Sequence, residues 1–359
     1  MIISRTPFRI SFFGGGTDYP EWYLKHGGAV LSTTIDKYCY LTCRFLPPFF
    51  EHKYRVVYSA IESVSSIDEI KHPSVRACLK YLNIDRGVEI HHDGDLPARS
   101  GMGSSSSFTV GLLNALHALQ GRMPSKNDLA LQAIHVEQNL LQECVGSQDQ
   151  AGAAYGGLNH ITFDTSGDIN TRPVIASPAR INELNDHLML FYTCIKRTAA
   201  NIAKSYTEDM EAKRRQLHIM KDLVDEGIGT LVGQGDIRQF GELLHEGWKA
   251  KRSLSNKVSN DQVDQVYARA RKAGAIGGKI NGAGGGGFLM LFVPPERQKM
   301  VRAALGNLIQ VPFKFDRNGS QIIFYDMEQD YSHAEKMRES MGEVVFSELH
   351  PEEAAMWPA

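Results

Sequence analysis

From Phe8 to Phe13, apolar Phe8, Ile10 and Phe12 alternate with Arg9 and Ser11. A period of two predicts a strand, and Gly14-Gly15-Gly16 ends it. Further β-rich stretches run over Val30–Phe45, Tyr54–Tyr58 and Val88–His92. The period then changes: Phe108, Leu112, Ala115, Leu116 and Leu119 share one face of a helix that Gly121 and Pro124 stop. A second helix starts at Ser125, whose hydroxyl can cap the turn containing Asp128, and runs to about Glu143. A short helix follows Asp149. Turn residues Gly167, Pro173 and Pro178 mark residues 160–185 as the crossing between two expected domains, 1–175 and 176–359. Beyond it the pattern predicts a strand over His187–Thr193 and helices over Thr198–Gly227, Ile237–Lys251 and Asp261–Gly274. A strand over Phe288–Val293, a helix over Arg297–Leu308 and a strand near Gln321–Tyr325 complete it. Strands and helices mix without strict βαβ alternation, so the expected class is α+β.

A chain of 359 residues is too long for one compact core, which agrees with two domains. Its net charge of −2 lacks the basic surplus of nucleic-acid binders. An anionic ligand must then be held by local donors. The five cysteines are scattered; Cys39 and Cys43 are four apart, but no second pair completes a zinc site. They read as buried thiols of a reducing compartment. Arginines interrupt the apolar N-terminal stretch, unlike a signal peptide, and no run nears the roughly 18 apolar residues of a membrane span. The expectation is a cytoplasmic enzyme without a membrane or nucleic-acid partner.

The chemistry concentrates in three glycine-rich segments. Leu96-Pro-Ala-Arg-Ser-Gly-Met-Gly-Ser-Ser-Ser-Ser107 leads straight into a helix. Gly101 and Gly103 let backbone approach a ligand, and the helix start offers free N–H groups and a positive dipole end. No Gly-Lys-Ser/Thr ending makes it a Walker loop. Pro7-Phe-Arg-Ile-Ser-Phe-Phe-Gly-Gly-Gly-Thr-Asp18 would, alone, be any hairpin turn. Lys279-Ile-Asn-Gly-Ala-Gly-Gly-Gly-Gly-Phe288 predicts close backbone packing, although a loose loop reads nearly as well in isolation. Glu137 continues an otherwise apolar stripe of Ala130, Ile134 and Leu141, where a carboxylate is costly unless it meets a cation. On spacing alone it also reads as a helix-flank residue, and Asp149 as a helix N-cap.

In order and spacing the three segments resemble the signature motifs of the GHMP kinases, the family of galactokinase, homoserine kinase and mevalonate kinase. The resemblance implies an N-terminal domain like ribosomal S5 domain 2 and a ferredoxin-like C-terminal domain. It implies ATP bound along Pro97, Ser100, Gly101, Met102, Gly103, Ser104, Ser105 and Ser106, with Mg²⁺ on Ser105 and Glu137. Asp149 matches the catalytic aspartate, and Arg9 the arginine beside the transferring phosphate. Gly16, Thr17, Asp18, Gly284 and Gly285 fall where the acceptor would sit.

Galactokinases read Gly-Glu-His-Thr-Asp where this chain has Gly14-Gly15-Gly16-Thr17-Asp18, so galactose is disfavoured. The glycine version, together with His245-Glu-Gly-Trp-Lys-Ala-Lys-Arg-Ser-Leu-Ser255, looks like the D-glycero-D-manno-heptose phosphate kinases. That implies phosphorylation of the anomeric hydroxyl of a heptose 7-phosphate, towards nucleotide-activated heptose. A fucose-type or unphosphorylated-heptose 1-kinase, or a silent sugar sensor, stands as the alternative. A phosphorylated sugar calls for cations; Lys196 and Arg197, and Lys249, Lys251 and Arg252, are the candidates, of which Lys249 and Arg252 are three apart and share a helix face. A solvated basic face explains them equally well. The expected partner is a small sugar or sugar phosphate, on a monomer or homodimer.

Overall fold

The computed structural model describes residues 1–98, 100–195, 199–207, 209–326 and 331–340. Lys196 and Arg197 lie outside the described residues, as does Arg99 of the serine loop.

β1 (Ile2–Phe13) runs antiparallel to the 18-residue β2 (Gly28–Phe45), with α1 (Pro20–His26) in the connection. The other edge of β2 is shared along its length. β5 (Val88–Gly94) takes residues 39–45 and β6 (Leu158–Phe163) takes 28–33. β3 (Tyr54–Val57) and β4 (Ile61–Val64) extend the sheet beyond β5, and β7 (Ile169–Pro173) extends it beyond β6. α2 (Pro73–Tyr81), α3 (Ser104–Leu119), α4 (Lys126–Ile134) and α5 (Gln148–Tyr155) complete this half. α3 lies so close to β1 that a Cβ on Gly111 would come 2.7 Å from Thr6 Oγ1. The Ser4 and Ser107 hydroxyls tie strand to helix, donating to Gly111 O and Pro7 O at 2.9 Å each.

After α6 (Pro178–Asp186), β8 (Leu188–Tyr192) opens a second sheet. Four helices follow: α7 (Ala199–Thr207), α8 (Arg214–Val232), α9 (Arg238–Arg252) and α10 (Asp261–Lys272). β9 (Gly277–Ile280), β10 (Phe288–Phe292), α11 (Gln298–Ala304) and β11 (Ile309–Gln310) complete the sheet, in the antiparallel order β11-β8-β10-β9. This is the ferredoxin-like arrangement. The chain then returns: β12 (Phe315–Asp316) pairs with β2, and β13 (Gln321–Tyr325) pairs with β1, before α12 (Ser332–Ser340). The class is α+β, as the pattern predicts.

Several elements differ from the sequence reading. Residues 160–185 hold the β6–β7 hairpin of the first sheet as well as α6. The helix expected to reach Glu143 leaves α geometry at His135 and runs as a π-helical turn to Leu140. The span Thr198–Gly227 is broken between α7 and α8, and the helix expected over Arg297–Leu308 ends at Ala304.

The two sheets meet at an aromatic seam. Phe240 of α9 packs edge-on to Phe12 and Phe13, with ring centroids 5.3 and 5.0 Å apart. The loop Gly282–Gly287 closes the junction with backbone on backbone. Gly287 has φ +89°, and a Cβ there would lie 2.2 Å from the Ser100 carbonyl oxygen. Phe288 N–H donates to that same oxygen at 3.2 Å. Gly287→Ala should therefore cost about 1–3 kcal/mol of stability in urea denaturation, from strained φ and lost loop packing. A loss below about 0.5 kcal/mol, the usual range of a surface change, would show that the loops are not in contact.

Candidate active site

Two strand irregularities, at Pro7/Arg9 and Ser11/Phe13, bracket the residues that β1 sends into a cavity of about 330 Å³. Bulges re-aim side chains in this way. The Arg9 guanidinium is buried and spends all three nitrogens. Nε and Nη2 donate to the two carboxylate oxygens of Asp149, each at 2.6 Å, and Nη1 donates to Gly101 O at 2.8 Å. Arg9 N–H adds a bond to Met102 O at 3.1 Å. Asp149, in the first turn of α5, keeps a quarter of its side chain exposed to the cavity.

Gly103 stands at the N-cap of α3 in the left-handed region, φ +74°, and no side chain caps that helix. Gly103 has no side chain to cap the first turn of α3, and Ser104 and Ser105 line the cavity beside it. Such a terminus suits a phosphate.

Opposite lies Asp18, buried. Its Oδ1 accepts from Gly16 N–H at 2.8 Å and its Oδ2 from Gln148 Nε2 at 2.9 Å. Burial, then the nearby Asp149, raise its pKa above the ordinary carboxylate value, against the pull of those donors. Gly146 is glycine because a Cβ there would land 1.9 Å from Asp18 Oδ2.

Glu137 occupies the π-helical turn, fully buried. Its Oε2 accepts from Ser106 Oγ at 2.8 Å and from Gln150 Nε2 at 2.5 Å, while Oε1 has no hydrogen-bond partner among the described residues. The expected neighbour of Glu137 was Ser105. The structure turns Ser106 inward onto Glu137 and leaves Ser105 exposed on the cavity wall, since successive helical residues diverge by about 100°.

Other expected residues stand elsewhere. Thr17 does not line the cavity: its hydroxyl donates to Gly14 O at 2.8 Å and to Ala29 O at 3.0 Å, tying the turn to β2. Gly284 and Gly285 do not face an acceptor; Gly285 N–H donates to Val258 O at 2.6 Å, and a Cβ on Gly284 would meet that same oxygen at 2.5 Å. Gly282 and Ala283 line the cavity in their place. Met102 and Ser100 are buried beneath the loop, Pro97 is exposed, and Gly101, Gly103 and Gly16 reach the cavity.

The basic pair is also corrected. Lys249 is paired with Glu246 at 2.9 Å and Arg252 with Asp264 at 2.5 Å, both on the outer face of α9. The cation that α9 sends into the cavity is Lys251. Gly241, Leu244, Trp248 and Lys251 share the buried stripe of this helix, so a lysine at an apolar-stripe position was the signal to read. Lys279 is buried behind it, its Nζ donating to Phe12 O at 3.0 Å. Burial, then Lys251 and Arg9, lower its pKa well below an ordinary lysine's. A larger groove of about 1090 Å³ over α8 and α9 carries Glu226, Glu242 and Glu246 but none of the predicted residues.

Residues 70–157 match the family described as GHMP kinases N terminal domain, and 226–309 match GHMP kinases C terminal. The chain is a GHMP kinase. It is 28% identical over 320 residues to the D-glycero-alpha-D-manno-heptose 7-phosphate kinase of Campylobacter jejuni, covering 85% of this chain and 93% of the relative. It is 24% identical to the galactokinase of Pyrococcus furiosus, covering 85% and 92%. A crystal structure titled D-glycero-D-manno-heptose 1-phosphate kinase from Bacteroides thetaiotaomicron superposes with TM-score 0.76 at 23% identity, over 91% of this chain and all of that one. GHMP kinases transfer a phosphoryl group from ATP to a hydroxyl, so this is an ATP-dependent phosphotransferase.

The residues of this GHMP kinase fit a divalent cation only in part on their own. Among the described residues no group of three or more acidic, histidine or cysteine side chains is arranged so that it could hold a metal ion. One buried carboxylate with an unpartnered oxygen among the described residues, beside serine hydroxyls at the start of α3, suits Mg²⁺ that completes its shell with nucleotide phosphates.

Burial pushes the Glu137 carboxyl up to about 7 from 4.5, against the Ser106, Thr109 and Gln150 donors. The folded state then holds a proton that the unfolded chain releases, so the contribution of Glu137 to stability is fully present below pH 4.5 and is lost as pH rises through about 7. In metal-chelated protein, wild type should lose up to about 3 kcal/mol relative to Glu137→Gln between pH 5 and 8. Parallel stability curves for the two proteins would show that Glu137 ionises normally.

Proposed function

We propose that the enzyme phosphorylates the anomeric hydroxyl of a heptose phosphate, taking D-glycero-D-manno-heptose 7-phosphate and ATP to the 1,7-bisphosphate and ADP. The observation that carries this reading is the pairing of two carboxylates in one cavity, Asp149 gripped by Arg9 and Asp18 held by Gly16 and Gln148. The extended likeness to the Campylobacter heptose 7-phosphate kinase supports the choice of sugar. So does Gly-Gly at 15–16, which leaves room beside Asp18.

In this reading Asp18 accepts hydrogen bonds from sugar hydroxyls. Asp149 orients the anomeric hydroxyl and takes its proton as oxygen attacks the γ-phosphorus. The bond from γ-phosphorus to the β,γ-bridging oxygen breaks, and ADP leaves with its electron pair. The bidentate Arg9 fork holds the Asp149 carboxylate aimed. N–H groups of the Gly101–Ser105 segment receive the phosphates. Glu137, with the hydroxyls of Ser105 and Ser106, would hold Mg²⁺, whose chemistry is to neutralise charge on the phosphates. The reaction belongs in the cytoplasm; the free thiols fit a reducing compartment, and no helix among the described residues is long and apolar enough to cross a membrane.

ADP release should be measured with the heptose 7-phosphate, free heptose, fucose, mannose and galactose. Strong preference for the heptose 7-phosphate with a product phosphorylated at C1 is expected; preference for any unphosphorylated sugar would overturn the reading. Asp149→Asn should lower turnover by about 10²–10⁴ while ATP still binds. Near-wild-type turnover in that variant would remove Asp149 from the proton-accepting role.

A further inference from the structure

Asp149 stands between two glutamines that face opposite ways. Successive helical residues diverge by about 100°, so Gln148 and Gln150 leave the first turn of α5 on opposite sides of Asp149. Gln150 Nε2 donates to Glu137 Oε2, and Gln148 Nε2 donates to Asp18 Oδ2 at 2.9 Å. One helical turn therefore sets the spacing of three carboxylates: Asp149 itself, Glu137 and Asp18.

Gln148 has little reason to be polar apart from its bond to Asp18. It is buried, 8% exposed, at the cavity wall, and its Oε1 has no hydrogen-bond partner among the described residues. An unmet buried amide oxygen is a cost that an apolar side chain of the same length avoids. Such groups call for a functional explanation. Space is kept for the amide as well, since a Cβ on Gly15 would lie 3.3 Å from its Nε2. Ser147 N–H donates to Asp18 O at 2.9 Å, so the backbone on the two sides is tied too.

The two carboxylates of the cavity are met differently. Asp149 is met by the Arg9 guanidinium, whereas the donors on Asp18 are neutral amides: Gly16 N–H, Gln148 Nε2 and, at 3.4 Å, Gln148 N–H. Neutral donors orient a carboxylate without pairing its charge, and they leave lone pairs for the hydroxyls of a sugar. The titratable groups that act on Asp18 or feel it are Asp149 of α5, Tyr23 of α1 and Lys279 of β9. Arg9, Glu143 and Lys251 line the same cavity.

We propose that Gln148 is a positioning residue for the acceptor sugar: it holds Asp18 at a fixed offset from Asp149, and so decides how well a sugar docks on Asp18 while its reacting hydroxyl meets Asp149. This rests on the reading above that Asp18 receives sugar hydroxyls, whichever sugar that is. A pH dependence follows. Asp18 is ionised above its folded pKa, which burial raises, so docking onto the carboxylate is present near neutral pH and lost as pH falls. Removing a donor to the ionised form raises that pKa again and moves the loss to higher pH.

The test is steady-state kinetics from about pH 5 to 8 with ATP, Mg²⁺ and whichever sugar named above wild type turns over fastest. Wild type, Gln148→Met, Gln148→Glu and Asp18→Asn are compared. Gln148→Met should raise the KM of the sugar about 10- to 100-fold near neutral pH, as loss of one hydrogen bond to a charged group implies. The KM of ATP should hold, and the acid limb of kcat/KM for the sugar should move to higher pH. In Gln148→Glu two carboxylates share the site and hold one proton between them, so the new side chain donates to Asp18 only in acid. That variant should approach wild type at the acid end and lose activity as pH rises, the reverse of the wild-type trend. It decides the matter if Gln148→Met does not fold. Losses that fall alike on sugar and ATP, with pH profiles parallel to wild type, would make Gln148 a structural residue and overturn the inference. A wild-type KM for the sugar in both Gln148 variants, with Asp18→Asn impaired, would overturn it while leaving the role of Asp18 intact. A wild-type KM for the sugar in Asp18→Asn would overturn the reading of Asp18 and the inference with it.

Discussion

One buried guanidinium holds three separate pieces of chain in register. Arg9 joins β1 to the glycine-serine loop through Gly101 and Met102, and to α5 through both oxygens of Asp149. The planar fork suits this task, because its donors leave in fixed directions and stay charged at any working pH; a lysine could satisfy only one of these contacts well. The cost of burying the charge is offset by the bidentate carboxylate. The proposed phosphoryl transfer is then a matter of placement relative to this fork, with the start of α3 on one side and the Asp149 carboxylate on the other.

The junction between the sheets applies a different rule. Glycines there are required by approach of backbone to backbone, as at Gly287 over Ser100 and Gly284 over Val258. Four consecutive glycines foretold close approach correctly, but the surface approached is the protein's own, and only Gly282 and Ala283 of that loop reach the cavity. The glycine-serine loop is thus braced from behind by the loop Gly282–Gly287.

Much of this was legible in the sequence. The period-two run of β1, the apolar face of α3 and the serine loop before it appear as read, since each is encoded within a few residues. What failed has physical reasons. α1, α2 and α6 all begin with proline in the first turn, at Pro20, Pro73 and Pro178, a position proline favours but which reads as a turn in isolation. The π-helical turn that carries Glu137 has no local signature, because it answers to packing and to the functional carboxylate. Lys249 and Arg252 were preferred over Lys251 because they are three apart and share a helix face, but that face is the outer one, and of the three only Lys251 is buried. Thr17 misled because a motif residue beside a site can serve the turn that builds it.

The return of the chain into the first sheet bears on how this protein is made. Ile2 pairs with Cys43 on one side and with Tyr325 on the other. A ribosome adding about 5–20 residues per second supplies the first partner within seconds but the second only after a further quarter-minute to a minute. Throughout that interval one edge of β1 stands open, with unpaired backbone groups of the kind that recruit foreign strands. The late β13 acts as a closing stitch, and the nascent enzyme depends on whatever shields that edge until the stitch arrives.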